Sequence, residues 1–149
     1  MTAHTPTALP PAEGPRGESV ARVAAELAGL AAPQSTAREL VRALLSDVPD
    51  GEWVDDIVLV ADELVGNAQQ HSAAAGPMAI TIDRYPWGLT VQVTDSGRPV
   101  PLKPRIPETE STGGRGLFLV DALATAWDVR PGGHGKVVRA VFSHREALP

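Results

Sequence analysis

Three groups of residues carry types and spacings that could do chemistry. Glu63 and Asn67 stand four apart within the stretch 55–72, DDIVLVADELVGNAQQHS. On a helix that spacing sets a carboxylate and a carboxamide one turn apart, with Gln70 close by and His71 a turn beyond Asn67. Such groups can point together into one cleft, or can lie on a solvated helix flank, where residues of these types usually are. Asp95 follows the alternation Leu89, Val91, Val93, so its carboxylate emerges where a strand ends, with Gly97 permitting close approach behind it. There it can accept a hydrogen bond from an exocyclic amine, or it can serve an Asp-Ser-Gly turn. Gly113, Gly114 and Gly116 bracket Arg115 just ahead of a helical pattern. That places backbone N–H groups, the positive end of a helix dipole and a cation where phosphate can bind. The glycines lack the dinucleotide-binding spacing between strand and helix, and no G-K-[ST] occurs, since Gly135-Lys136 is followed by Val137. Asp55, Asp56, Asp62 and Glu63 do not converge at 100° per residue, which argues against an acidic metal cluster.

These groups need elements to position them. Ile57, Ala61, Leu64 and Ala68 fall on one stripe with Val58 and Val65 beside them, which predicts a helix over 53–72 packed on a core, with Trp53 as an anchor. Gly66 inside it costs roughly 1 kcal/mol relative to alanine and suggests that something approaches its backbone closely. A preceding helix is expected over 35–46, opened by a capping box at Thr36 and Glu39, with Leu40, Val41, Leu44 and Leu45 at helical spacing. After Pro77 the period changes to two. Met78, Ile80 and Ile82, a turn at Tyr85-Pro-Trp-Gly88, and Leu89, Val91 and Val93 read as a hairpin. Leu117, Val120 and Leu123 or Ala124 mark a third helix over 116–126, and 126–130 and 136–142 form a second hairpin. Residues 98–113 hold four prolines and no apolar period, the composition of a mobile loop. Residues 1–18, also with four prolines, read as a disordered tail, leaving 19–149 as the domain. The final SHREALP carries no legible signal.

Composition bounds the possibilities. A chain of 149 residues, 43% hydrophobic and 21% charged, fits one globular domain. No apolar run approaches the roughly 18 residues of a membrane helix, and none has the form of a signal peptide. The net charge of −5 argues against a broad nucleic-acid-binding face. The absence of cysteine excludes disulfides and thiolate metal sites and agrees with a cytoplasmic location.

Four segments, in order, resemble boxes of the histidine-kinase-like (GHKL) ATPases. ELVGNAQQHS resembles the N box, VTDSGRP (93–99) the G1 box, GGRGLFLVDAL (113–123) the G2 box, and GKVVRAVF (135–142) the closing strand. The E-L-V-x-N-A-x-x-H-S and G-R-G-L-x-L-V forms are most similar to the bacterial anti-sigma-factor serine/threonine-protein kinases. The resemblance implies a two-layer α/β sandwich of the Bergerat type. Its mixed, mostly antiparallel sheet would have four or five strands, with three helices on one face and an edge strand near 20–30, a region whose propensity alone also allows a helix. It implies ATP and Mg²⁺ as cofactors, with Asn67 as the metal ligand and Glu63 as the base for phosphoryl transfer. Asp95 would read the adenine amine, and Asn67, Asp95, Gly97, Gly113, Gly114, Arg115, Gly116 and Leu117 would bind nucleotide between the helices and the loop 98–113. The implied function is a homodimeric kinase that binds a sigma factor and phosphorylates an anti-anti-sigma antagonist. The alternatives are a nucleotide-responsive protein-binding module without kinase activity and a partner-binding domain with a decayed site. One departure is visible: the threonine that such closing strands often carry near adenine is missing, and Lys136 leads into Val137 and Val138.

Overall fold

The computed structural model describes residues 17–71, 76–96, 112–132 and 135–149, with backbone alone for residue 71 and for 112–117. The chain runs β1 (Ala21–Glu26), α1 (Pro33–Leu44), α2 (Gly51–His71), β2 (Met78–Tyr85), β3 (Gly88–Asp95), α3 (Thr112–Leu123), β4 (Ala126–Pro131) and β5 (Lys136–Ser143). The five strands form one sheet in the order β1-β2-β3-β5-β4. All four ladders are antiparallel, so the sheet is antiparallel throughout the described residues, and the parallel pairing that a mixed sheet allows is not found there. The segment near 20–30 resolves into strand β1, whose inward Val23 and Ala25 pack on the core while the outward residues stay polar or small.

Strand register shows which side chains face the helices. Val23, Ile82, Val91, Ala140 and Trp127 form one cross-strand row, and Ala25, Ile80, Val93, Val138 and Val129 the next. Both rows belong to the apolar cluster that also contains Ala37 and Val41 of α1, Ile57, Ala61, Leu64, Val65 and Ala68 of α2, and Val120 of α3. The other sheet face is largely polar, with Arg22 paired to Asp83 at 2.7 Å and Arg139 to Asp128 at 3.5 Å. That is the one-sided pattern of an antiparallel sheet covered on a single face.

Helices α1 and α3 differ from the sequence expectation at their ends. Helix α1 begins at Pro33, two residues early, and the capping box is not used. Its N-cap, Ala32, offers no side chain, while Thr36 Oγ1 donates to the Ala32 carbonyl at 3.4 Å. Proline at the first helical position fixes φ and lacks only an N–H that would go unpaired anyway, so it starts the helix in the cap's place. Helix α3 begins at Thr112 rather than 116 and ends at Leu123 rather than 126, because Thr125 N–H already donates to the Val141 carbonyl at 2.8 Å. Helix α2 opens on Asp50, whose Oδ1 accepts from Trp53 N–H at 3.1 Å in the manner of an N-cap. Of the N-terminal tail, 1–16 lies outside the described residues, as does the loop 98–113 as far as 111.

Candidate functional site

Helix α2 spans the sheet from end to end: its 21 residues give about 30 Å at 1.5 Å per residue, against about 27 Å for an eight-residue strand. Its direction is fixed at the start. Trp53 Nε1 donates to the Ser143 carbonyl at 3.2 Å, and His144 Nε2 lies 2.9 Å from Asp50 Oδ2. Ser143 pairs with Gly88, so α2 begins over the Gly88 end of β3 and finishes toward the Asp95 end. Helix α3 has the same end in view. It hands over to β4 beside Val141, near the Gly88 end, so its N-terminal turn is directed toward Asp95. The last turns of α2, the first turn of α3 and the end of β3 therefore share one end of the molecule.

The flank of α2 that carries Glu63 and Asn67 is set by what occupies the other flank. Gln34 of α1 donates to the Asp62 carbonyl at 3.3 Å, Arg38 pairs with Asp62, and Arg42 with Asp55. The close approach expected at Gly66 comes from α1: a Cβ there would stand 2.9 Å from Gln34 Nε2. Glu63 and Asn67 project about 100° away from that side, and α3, which packs on α2, takes the remaining flank. Glu63 is half-buried, while Asn67 is 7% exposed. Its carboxamide oxygen, drawn into the fold, is of the ligand type that a hard cation takes.

Asp95 continues the helix-facing register of Val91 and Val93. Its cross-strand partner is Lys136, which continues the inward register of Val138 and Ala140. The side chains are each 1% exposed, and Lys136 Nζ lies 3.7 Å from Asp95 Oδ2. Around them is a hollow of ≈ 290 Å³ lined by Pro77, Thr94, Asp95, Gly132, Gly135, Lys136 and Val137. A Cβ on Gly135 would collide with the carbonyl oxygen of Asp95, so only glycine lets β5 start this close to the end of β3.

The expected site residues are thus distributed as follows. Glu63, Asn67 and Asp95 lie toward one end of the fold. Gly113, Gly114 and Arg115 are taken into the first turn of α3, ahead of the expected start at 116, and Gly116 and Leu117 follow in the same helix. The first N–H groups of that helix still have no partner within it, so anion binding remains open to its backbone. Gly97 lies outside the described residues. Lys136 was not among the expected site residues, and its signal was present: GKVVRAVF alternates, and the position two before Val138 faces inward. The missing threonine draws attention to Val137, but Val137 pairs with Thr94 and Arg130 on the opposite face, and the residue beside Asp95 is Lys136.

The family model of the histidine kinase-like ATPase domain matches residues 20–142. Among solved structures, the chain resembles the RsbU and RsbW domains of Rv1364c from Mycobacterium tuberculosis, at 19% identity and a TM-score of 0.60. That likeness covers 87% of this chain and 35% of the other, so this chain spans about a third of the length of that neighbour. No curated protein matches the chain. No helix among the described residues is long and apolar enough to cross a membrane.

Proposed function

Since the chain belongs to the histidine kinase-like ATPase domain family, we propose that it is an ATP-binding regulator that transfers phosphate to a protein hydroxyl, in the manner of an anti-sigma-factor serine/threonine kinase. The observation that carries the reading is the buried carboxylate of Asp95 on the wall of a ≈ 290 Å³ hollow, at the end of the fold toward which Asn67 and the start of α3 are directed. Asp95 accepts from the adenine amine. The backbone of the first turn of α3, with Arg115, holds phosphate oxygens. Asn67 holds Mg²⁺, which when bound supplies charge neutralisation across the phosphates. Glu63 takes the proton of the attacking hydroxyl as its oxygen bonds to the γ-phosphorus. The bond from that phosphorus to the β,γ-bridging oxygen breaks, and ADP leaves. The partners proposed are a sigma factor and an anti-anti-sigma-like protein, with the domain acting as a homodimer; the neighbouring RsbW domain supports this reading by fold alone.

Calorimetry with ATP and ADP in the presence of Mg²⁺ tests the site, and binding by neither at millimolar concentration would remove it. Labelled ATP with candidate antagonist proteins tests the chemistry. Binding without transfer would leave a nucleotide-responsive protein-binding module. Pull-down with each nucleotide tests the partners: recovery of neither a sigma factor nor an anti-anti-sigma-like protein in either state would remove them.

A further inference from the structure

Strand β1 closes the sheet on one side and pairs with β2, and among the described residues no strand pairs with its other edge. Leu27 N–H donates to the Met78 carbonyl at 2.6 Å, in register with the ladder that sets Glu26 across from Ala79. Backbone direction alternates along a strand, so Ala21, Val23 and Ala25 also turn to β2, while Arg22, Ala24 and Glu26 present N–H and C=O groups outward. Such an edge is a template for another strand, and proteins commonly blunt it with proline or lysine. The opposite edge strand, β4, ends in Pro131, which has no donor to give. Strand β1 holds neither proline nor lysine.

Its two charges are of opposite sign and stand symmetrically about Ala24. In an antiparallel copy of β1 laid along this edge, with a two-fold axis at Ala24, Arg22 of each chain comes opposite Glu26 of the other. The residues that then meet in hydrogen-bonded pairs are those whose backbone groups point outward, and they exchange about six hydrogen bonds. Opposite charges facing each other across strands are favourable, and like charges are not. Each charge is oriented by one contact in its own chain: Arg22 through Nε to Asp83, and Glu26 through Oε1 to the Met78 and Ala28 N–H groups. The guanidinium has further donors and the carboxylate a second oxygen. The helix side adds an apolar margin. Val23 and Ala25 are partly buried, as are Leu40 and Leu44, which lie on the flank of α1 away from Arg38 and Arg42 and so away from α2. The two-fold axis stands across the sheet, so the margins of both copies fall on the same side. Deepening the homodimer proposed above, and resting on that part of the reading alone, we infer that the partner at this edge is a second copy of the chain, joined β1 to β1 so that two five-stranded sheets become one.

The test is sedimentation of the whole chain, with crosslinking at the axis. The chain has no cysteine, so Ala24→Cys, at an exposed position, carries a single thiol. Its Cα would stand about 5.5 Å from that of its copy, within disulfide range. Wild type should sediment as a dimer, and Ala24→Cys should form a disulfide-linked dimer on mild oxidation. Ala24→Pro removes the central donor and should raise the dimer Kd by about tenfold or more, with ATP binding unchanged. Arg22→Glu and Glu26→Arg should each be monomeric where wild type is dimeric, and an equimolar mixture of the two should recover a dimer, because every cross-strand pair is again opposite in sign. A monomeric wild type would overturn the inference and the homodimer, and leave nucleotide binding to its own titration. A wild-type dimer that Ala24→Cys does not link and Ala24→Pro does not weaken would overturn the edge and leave the homodimer on another surface. A mixture that stays monomeric, although each variant melts as wild type, would likewise overturn it. Should Ala24→Pro fail to fold, the crosslinking of Ala24→Cys decides.

Discussion

The helix-facing side of the sheet buries one cluster of charge at each end, and the two are built differently. At the Gly88 end, both terminal nitrogens of Arg84 are engaged. It donates to the Leu44 carbonyl at 3.0 Å, to the Asp47 carboxylate at 2.6 and 3.2 Å and to the Pro149 carbonyl at 2.9 Å, tying the end of α1 and the last residue of the chain to β2. At the Asp95 end, Lys136 and Asp95 face a hollow. A guanidinium with its fork fully used is a clamp, and little of it is left to offer a ligand. The lysine and carboxylate are instead paired across one ladder, each 1% exposed, at the end of the sheet where a hollow opens. The contrast separates holding from binding within one sheet, and it can be broken or sharpened by substitution at either end.

The largest effect is expected near the Asp95 end. Glu63→Ala should lower phosphoryl transfer about 10²- to 10⁴-fold while nucleotide still binds; full activity on a verified substrate would show that Glu63 is not the base. Asn67→Ala should in addition weaken the Mg²⁺-dependent part of ATP affinity, read by titration with and without the metal. At the other end, Arg84→Met should cost roughly 3 kcal/mol and lower Tm by about 6–12 °C without changing nucleotide affinity. A shift in Kd with no loss of Tm would reverse the roles of the two ends. Asp95→Asn turns an acceptor partly into a donor and should weaken ATP by about tenfold or more, about 1.4 kcal/mol, in calorimetry; unchanged affinity would remove Asp95 from base reading.

The smallest effect concerns His144 and Asp50 at the start of α2. The hydrogen bond to Asp50 raises the pKa of His144, and the same bond, with the Trp53 N–H, lowers that of Asp50. A raised imidazole contributes stability that is present below its unfolded pKa and lost as pH rises through its folded one. A depressed carboxylate contributes stability that is present above its unfolded pKa and lost as pH falls through its folded one. The pair should therefore support α2 most strongly between the ordinary carboxylate range and the ordinary imidazole range, about 4 to 6.5. Thermal melts across pH should show His144→Asn losing the alkaline part of this dependence, while nucleotide affinity stays as in wild type.

Much of this was legible along the chain. Period two at 78–82 and 89–93 gave the first hairpin because each inward residue of an antiparallel strand meets an inward neighbour, and period 3.6 gave α2 for the matching reason. Local signals at helix ends were weaker guides. The capping box at Thr36 lost to Pro33, and Gly113 and Gly114 were taken into the first turn of α3 instead of standing before it. The closing SHREALP showed no pattern, yet His144 meets Asp50 and Trp53, Leu148 packs on the core and Pro149 receives Arg84. Contacts of single residues across long separations leave no periodic trace.

The sequence by itself determined the elements and the chemical types, since both depend on residues close together in the chain: the helix that carries Glu63 and Asn67, the strand that ends at Asp95, the glycines before Leu117. Tertiary structure alone decided what stands beside Asp95. Only the antiparallel register of β3 with β5 brings Lys136 across from it and turns Val137 to the far face, and pairing register is a property of two distant segments that neither one specifies alone.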